Sequence, residues 1–316
     1  MGILDGKVAV VTGAGRGIGR GIAIMMAELG AKVVVNDPGV NPDGTGHDDG
    51  PADQVVAEIT KAGLSAVANY DTVSTPEGGE SIIKTALDKF GRIDVLVNNA
   101  GILRDRMIFN MSEQEWDEVM AVHLHGHFHC AKPASQVMRQ QRSGRIINFS
   151  SESGLWGNAG QANYGAAKSA IAGFTRVLAR DLGRYGVTCN AIAPRAWTRL
   201  TAGVAQQRPP GVRQQAQIDA PQAPGIAQME PDDIAPMVCY LASDAAWNVN
   251  GQVFLVFGGT VAVLQHPTPW RTIFKPGLWT LDELSESVHH LMQGVKNPAS
   301  PAEDMEIPGR QVQVPL

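Results

Sequence analysis

The chain has 316 residues, of which 44% are hydrophobic and 18% charged, and its formal net charge is −5. This balance excludes a disordered or coiled-coil chain, and the lack of a basic excess argues against nucleic-acid binding by charge. The three cysteines, Cys130, Cys189 and Cys239, are spaced for neither a disulfide framework nor a zinc site, which suits a reducing compartment. No run reaches the ~18 apolar residues of a membrane span, and the N-terminus passes straight into a strand pattern. The expectation is therefore no membrane insertion and no signal peptide.

In chain order, residues 7–12 form a β-rich run that stops at glycines, and residues 17–29 have helical apolar spacing before Gly30. A second strand is expected at 32–36. Further strands are expected at 65–69, 93–97, 144–150, 187–192 and 252–256. Helices are expected at 52–62, 76–90, 112–120, 122–140, 161–184 and 231–243. Near-continuous apolar strands alternating with amphipathic helices predict a parallel sheet covered on both faces. With right-handed crossovers this gives an α/β fold: a doubly wound, seven-stranded Rossmann sheet in three αβα layers. Residues 38–51 are too rich in Gly, Pro and Asp for a helix. Residues 195–230, rich in Gln and Pro from 201 onward, read as a substrate lid within a domain of 1–260. Residues 261–316 read as a C-terminal extension with a helix near 281–295, packed on the domain or on a partner subunit.

Between the first strand and the first helix stands Thr12-Gly13-Ala14-Gly15-Arg16-Gly17-Ile18-Gly19. Glycines let backbone approach a pyrophosphate, and a helix N-terminus offers free N–H groups and a positive dipole end. Gly13, Arg16, Gly17, Ile18 and Gly19 are thus candidate cofactor contacts. Asp37 ends the second strand, where a carboxylate accepts the ribose hydroxyls of an adenosine and repels a 2′-phosphate, favouring NAD. Arg16 is a contrary sign, since a loop cation helps hold NADP. The alternative for Asp37 is a solvated turn aspartate.

Residues 150–168 contain Ser150-Ser151-Glu152-Ser153-Gly154 and Asn163-Tyr164-Gly165-Ala166-Ala167-Lys168. Tyr164 and Lys168 share a helix face, and an ammonium there favours a phenolate, making Tyr164 a candidate acid–base group. Together with the glycine loop and Asn98-Asn99-Ala100-Gly101, this set resembles the short-chain dehydrogenase/reductase family over about residues 5–260. The resemblance implies Ser151, Tyr164 and Lys168 as the catalytic set, Ser151 orienting the substrate oxygen and Lys168 also holding the nicotinamide ribose. It further implies cofactor contacts from Asp71, Thr72, Asn98, Ala100, Gly101, Pro194, Ala196, Trp197 and Thr198.

His123 stands where most of that family has an asparagine propping a water that links the lysine to solvent. An imidazole also donates and accepts, so His123 joins the catalytic candidates; the alternative is a packing residue. His123, His125, His127 and His129 suggest a metal at first sight. Only 123/127 and 125/129 share helix faces, and no nearby carboxylate completes a set, so no metal is expected.

Val34-Val35-Asn36-Asp37, Asn69-Tyr70-Asp71, the stretch from Asn98 to Asp105, His123 and the stretch from Gly157 to Tyr164 are similar to one branch of the family. That branch contains the (3R)-hydroxyacyl-CoA dehydrogenase unit of peroxisomal multifunctional enzyme type 2, also called 17β-hydroxysteroid dehydrogenase type 4. The branch implies oxidation of a 3-hydroxyacyl-CoA, fatty or sterol, in β-oxidation, with NAD as cofactor. The alternatives are a dehydrogenase of free 17β-hydroxysteroids and a non-catalytic NAD-binding partner. Glu152 and Arg195-Ala196-Trp197 depart from the branch pattern. Met111, Leu155, Trp156 and Trp197 are candidate walls for an acyl body, and Arg104, Arg106, Arg195 and Arg199 are candidate partners for CoA phosphates. The resemblance also implies a homodimer or homotetramer. Relatives in eukaryotes carry fused domains, so a stand-alone enzyme of a bacterial cytoplasm is expected.

Overall fold

The computed structural model describes residues 2–46, 48, 50–196, 229–295, 298 and 299. The apolar runs become strands β1 (Val8–Thr12), β2 (Lys32–Asn36), β3 (Ala66–Asn69), β4 (Val95–Asn98), β5 (Gly144–Phe149), β6 (Val187–Pro194), β7 (Val253–Phe257) and β8 (Thr260–Val263). They form one sheet in the order β3-β2-β1-β4-β5-β6-β7-β8. The first seven are parallel, as expected. β8 is an addition: it pairs antiparallel to β7 directly after the turn at 258–259. A two-residue connection permits only an antiparallel return.

Helices cover both faces: α1 (Gly17–Glu28), α2 (Gly50–Lys61), α3 (Pro76–Phe90), α4 (Glu113–Met120), α5 (Gly126–Gln141), α6 (Glu152–Trp156) and α7 (Ala162–Leu182). Successive strand residues point to opposite faces, so β1 feeds two cores. Ala9 and Val11 pack with Ile22 and Met26 of α1 and with Val238 and Leu241 of the helix Ala235–Ala242. Val8 and Val10 pack with Ile82 and Ile83 of α3 and Met138 of α5. This is the expected three-layer Rossmann arrangement.

Element boundaries follow local chemistry. Thr75 caps α3 by accepting from the Gly78 N–H, Pro76 opens it, and Gly91 closes it in the left-handed region. Ser112 and Glu115 form a capping box that starts α4. α2 starts at Gly50, so the final two residues of the 38–51 segment belong to its first turn. The helix expected over 122–140 is different in kind. Ala121–His125 is a π-helical turn joining α4 to α5. The short α6 was not anticipated.

By contacts the chain forms two compact units, 1–264 and 265–316, so β8 belongs to the first. The second contains the helix Leu281–Met292, opened by a Thr280–Glu283 capping box. Trp197, Thr198, Arg199 and the 201–228 part of the expected lid lie outside the described residues.

Leu96 on β4 is fully buried in the second core. Leu96→Ala is expected to lower stability by about 2–5 kcal/mol in urea-unfolding measurements, the range for buried leucine truncation.

Candidate active site

The strand order reverses between β1 and β4, so the loops leaving their carboxyl ends diverge and open a crevice. A cavity of about 380 Å³ lies there, and Gly13, Arg16, Gly17, Ile18, Gly19, Asp37, Thr72, Ala100 and Gly101 line it. Gly13 has φ +63, and a Cβ on it would meet the Ala100 Cα at 2.8 Å. The β1 and β4 loops thus approach closely because glycine stands there. They are also tied together. The Thr12 hydroxyl accepts from the Asn99 and Ala100 N–H groups, both at 3.1 Å, and the Asn99 amide donates to the Thr12 and Gly13 carbonyls at 2.9 and 3.0 Å. No side chain caps the N-terminus of α1 at Arg16, which leaves its first N–H groups for a ligand. A glycine cradle, an uncapped helix start and a ribose-side carboxylate fit a dinucleotide.

Asp37 is not a merely solvated turn residue. Its carboxylate accepts from the Gly15 N–H at 2.8 Å and the Gly39 N–H at 2.7 Å, fixing it between the glycine loop and the 38–51 segment. That segment supplies Pro38, Val40, Asn41, Pro42 and Gly44 to the cavity wall. The sequence marks this segment as a break in rhythm and as part of the branch resemblance, but not as a cavity wall. Arg16 lies 3.6 Å from Asp48 of the same segment. Asp71 is held by the Asn69 amide at 2.8 Å and the Ser81 hydroxyl at 2.7 Å. Buried Asn98 bonds Asn148 across β4 and β5 at 3.0 Å, supporting the strand ends rather than lining the cavity.

Ser151, Tyr164 and Lys168 come together beyond β5. Ser151 caps α6, accepting from the Ser153 N–H at 3.2 Å, and its hydroxyl is near enough to Tyr164 to lower the phenol pKa. Tyr164 and Lys168 project from the same face of α7, with the ammonium 5.5 Å from the phenol ring centre. Lys168 is buried and donates to the Phe149 carbonyl at 2.6 Å. The neighbouring Ser150 is buried and donates to the Lys168 carbonyl at 2.8 Å, a structural bond.

The electrostatics correct one expectation. Lys168 was expected to pull the phenol pKa down. Burial dominates instead and pushes Tyr164 up to about 12, Ser151 lowering it and Asp105 adding a smaller upward effect. Burial also pulls Lys168 down to about 7, which places a proton-exchanging amine beside the phenol at neutral pH.

His123 reaches this set. Its ring packs edge-on to Tyr164 at 5.1 Å, and a Cβ on Gly101 would meet its Cε1 at 2.4 Å. Its Nε2 lies 2.8 Å from the Ile102 carbonyl and 3.2 Å from the Ile102 nitrogen. The shorter contact assigns the proton to Nε2 and leaves Nδ1, buried without a partner among the described residues, as an acceptor. Burial, with the Lys168 charge beside it, drives His123 well below the usual imidazole range. His127 is also buried, at about 3 for the same two reasons. His127 was weighed only as a metal ligand; its contacts with other elements were not legible in the HxHxHxH pattern. Among the described residues no group of His, Cys, Asp or Glu side chains is arranged for a metal ion.

The expected CoA-facing arginines are matched by carboxylates. Arg104 lies 2.7 Å from Glu118, Arg106 lies 3.0 Å from Glu115, and Arg195 forms a bidentate pair with Glu152. The last pair joins the two departures from the family pattern. Leu155 and Trp156 pack against the cluster of Ala193, Leu255 and Phe257 with Met229, an apolar group next to Ser151 in the chain. Among the described residues no helix is long and apolar enough to cross a membrane.

Residues 7–209 match the family described as short chain dehydrogenase. The chain is 45% identical over 260 residues to a short-chain type dehydrogenase/reductase of Mycobacterium tuberculosis, covering 82% of this chain and 85% of that one. It is 42% identical over 300 residues to the hydroxyacyl-CoA dehydrogenase ChsB1 of M. tuberculosis, covering 92% and 90%. It is 44% identical over 261 residues to mouse peroxisomal multifunctional enzyme type 2, covering 83% of this chain but only 33% of that protein. A crystal structure of a short chain dehydrogenase from Mycobacterium avium superposes with a TM-score of 0.78 at 43% identity, covering 96% of this chain and all of that one.

The two depressed imidazoles carry a stability consequence. The unfolded chain binds protons on His123 and His127 as pH falls through about 6.5, whereas the fold keeps both neutral. Stability is therefore full above that value and is lost below it, by about 1.4 kcal/mol per pH unit for each imidazole. For His127 the loss continues to about pH 3, where the folded form also takes its proton. Urea unfolding at pH 7 and pH 5 should show a drop that His127→Gln reduces.

Proposed function

The chain belongs to the short-chain dehydrogenase family of oxidoreductases, and from this premise we propose that it oxidises a 3-hydroxyacyl-CoA to the 3-oxoacyl-CoA with NAD. The observation that carries the reading is the meeting of Ser151, Tyr164, Lys168 and His123, with His123 packed against Gly101, which lines the cavity that Asp37 and the glycine loop border. In the bound state, NAD supplies the hydride acceptor. Ser151 and Tyr164 hydroxyls hold the substrate alcohol oxygen, and Tyr164, having given its own phenolic proton to the Lys168 amine, takes the alcohol proton as the carbon–hydrogen bond breaks. Lys168 is held at the Phe149 carbonyl, 5.5 Å from the phenol ring centre; its neutral amine is the acceptor for the phenolic proton, and the ammonium so formed stabilises the phenolate.

Asp37 supports NAD over NADP because a carboxylate at the ribose repels a 2′-phosphate. Arg16, which would attract that phosphate, has Asp48 beside it. The CoA ester is supported by ChsB1, a hydroxyacyl-CoA dehydrogenase aligned over nine-tenths of both chains. The apolar group around Leu155 and Trp156 suits a fatty or sterol acyl body, and β-oxidation of such chains is the process proposed. The Arg104, Arg106 and Arg195 pairs do not add support for CoA phosphates. Phe128 on α5 and Val177 on α7 are exposed, which suits a homodimer or tetramer.

The reading is tested by following NADH formation with both enantiomers of a 3-hydroxyacyl-CoA. Turnover is expected with NAD and to be weak with NADP. No turnover of either enantiomer at saturating NAD contradicts it. Tyr164→Phe is expected to lower kcat at least ~100-fold, the scale of positioned acid–base help. Asp37→Ala is expected to raise KM for NAD and to narrow the preference over NADP, as measured by kcat/KM for each cofactor.

A further inference from the structure

The π turn Ala121–His125 brings a second buried imidazole to the catalytic centre. His127 Nδ1 lies 2.6 Å from the His123 carbonyl, so Nδ1–H donates to the turn itself. Its Nε2 is then a lone-pair acceptor and receives the Phe149 N–H at 3.3 Å. Phe149 is the last residue of β5. Its carbonyl is the group that accepts from the Lys168 ammonium at 2.6 Å. One side chain therefore links three parts: the turn that carries His123, the end of β5 and, through Phe149, the lysine of α7.

We infer that His127 is a positioning residue of the catalytic centre, which holds the Phe149 carbonyl where it fixes the Lys168 ammonium. Both imidazole nitrogens are occupied in the neutral ring, one as donor and one as acceptor, so His127 has no proton to pass and no free lone pair. Its low proton affinity keeps that bonding pattern intact across the working pH range. Removing the ring frees the Phe149 end of β5 and a side of the π turn at once. Lys168 has no carboxylate partner within ion-pair distance among the described residues, so a shift of the Phe149 carbonyl moves its ammonium. The groups that would register the move are Tyr164 on α7, His123 on the turn, Ser151 at the start of α6 and Asp105 on the loop after β4.

The inference rests on the proton-transfer role proposed above, so its test includes a readout that needs no substrate. Lys168 ionisation is followed by NMR of lysines labelled with carbon-13 next to the amine, as the signal that Lys168→Met removes, alongside kcat and thermal unfolding. Three variants separate the two bonds. His127→Leu removes both. His127→Asn reaches only the position of Nδ1 and keeps the bond to His123. His127→Gln reaches the position of Nε2 and keeps an acceptor for Phe149. The expected result is a kcat lowered about 10- to 100-fold in Leu and Asn, with KM for NAD little changed, and a kcat within a few-fold of wild type in Gln. The Lys168 midpoint should fall by at least ~0.5 pH unit in Leu and Asn, because its ammonium loses the carbonyl that receives it, and stay near wild type in Gln. A purely structural role would lower the melting temperature and leave the midpoint in place. Leu with wild-type kcat and midpoint overturns the inference, as does Gln shifted as far as Asn. If Leu does not fold, the Gln and Asn comparison decides. If wild type turns over no hydroxyacyl-CoA, the substrate reading fails while the Lys168 midpoints still decide the role of His127.

Discussion

A buried lysine organises the site. Taking an ammonium out of water is costly, and among the described residues Lys168 has a strand-end carbonyl, not a carboxylate, to receive it. Its protonation is therefore poised near neutrality, unlike a surface lysine. Everything else about the centre follows from where that carbonyl sits. It closes β5, a strand buried along its whole length in mid-sheet, so its position is set by the packing of both cores. Ser150 holds the α7 backbone to the same strand end, and Ser151 starts the helix that follows. The acid–base set is thus an outgrowth of one strand terminus.

The cofactor side is built on a second constraint, the close approach of the β1 and β4 loops. Gly13 makes that approach possible, and the bonds from Thr12 to Asn99 and Ala100 hold it. Asp37 fastens the 38–51 segment to the glycine loop, so a stretch that interrupts the strand–helix rhythm becomes one wall of the crevice. Rigid strand ends carry the chemistry, while the adjoining loops shape access to it.

The parallel sheet and the crevice were legible because they are written in local pattern. Val33-Val34-Val35 in β2 and Val95-Leu96-Val97 in β4 are apolar on both faces, and that reads only as a covered parallel sheet. Tyr164 and Lys168 were legible through helical spacing and Ser151 through family resemblance. Three features were not. β8 is four residues whose burial alternates, too short to stand out from an extension. The π turn has the same apolar rhythm as an ordinary helix over so short a span, so the contacts of His127 emerged only with the backbone path, whereas His123 was already a candidate through family resemblance. The pairing of Glu152 with Arg195 joins residues 43 positions apart, and no local pattern announces it. The phenol shift was misjudged for a related reason: proximity to a cation is visible in sequence spacing, but the depth of burial that outweighs it is not.

The most direct test of this account is the titration of Lys168 itself. Lysines labelled with carbon-13 next to the amine, with the Lys168 signal identified by its loss in Lys168→Met, allow its pKa to be read by NMR in the cofactor-free enzyme. The account predicts a value displaced from 10.5 to about 7. A Lys168 that titrates with the surface lysines would mean the amine is solvated, and the catalytic arrangement described above could not stand.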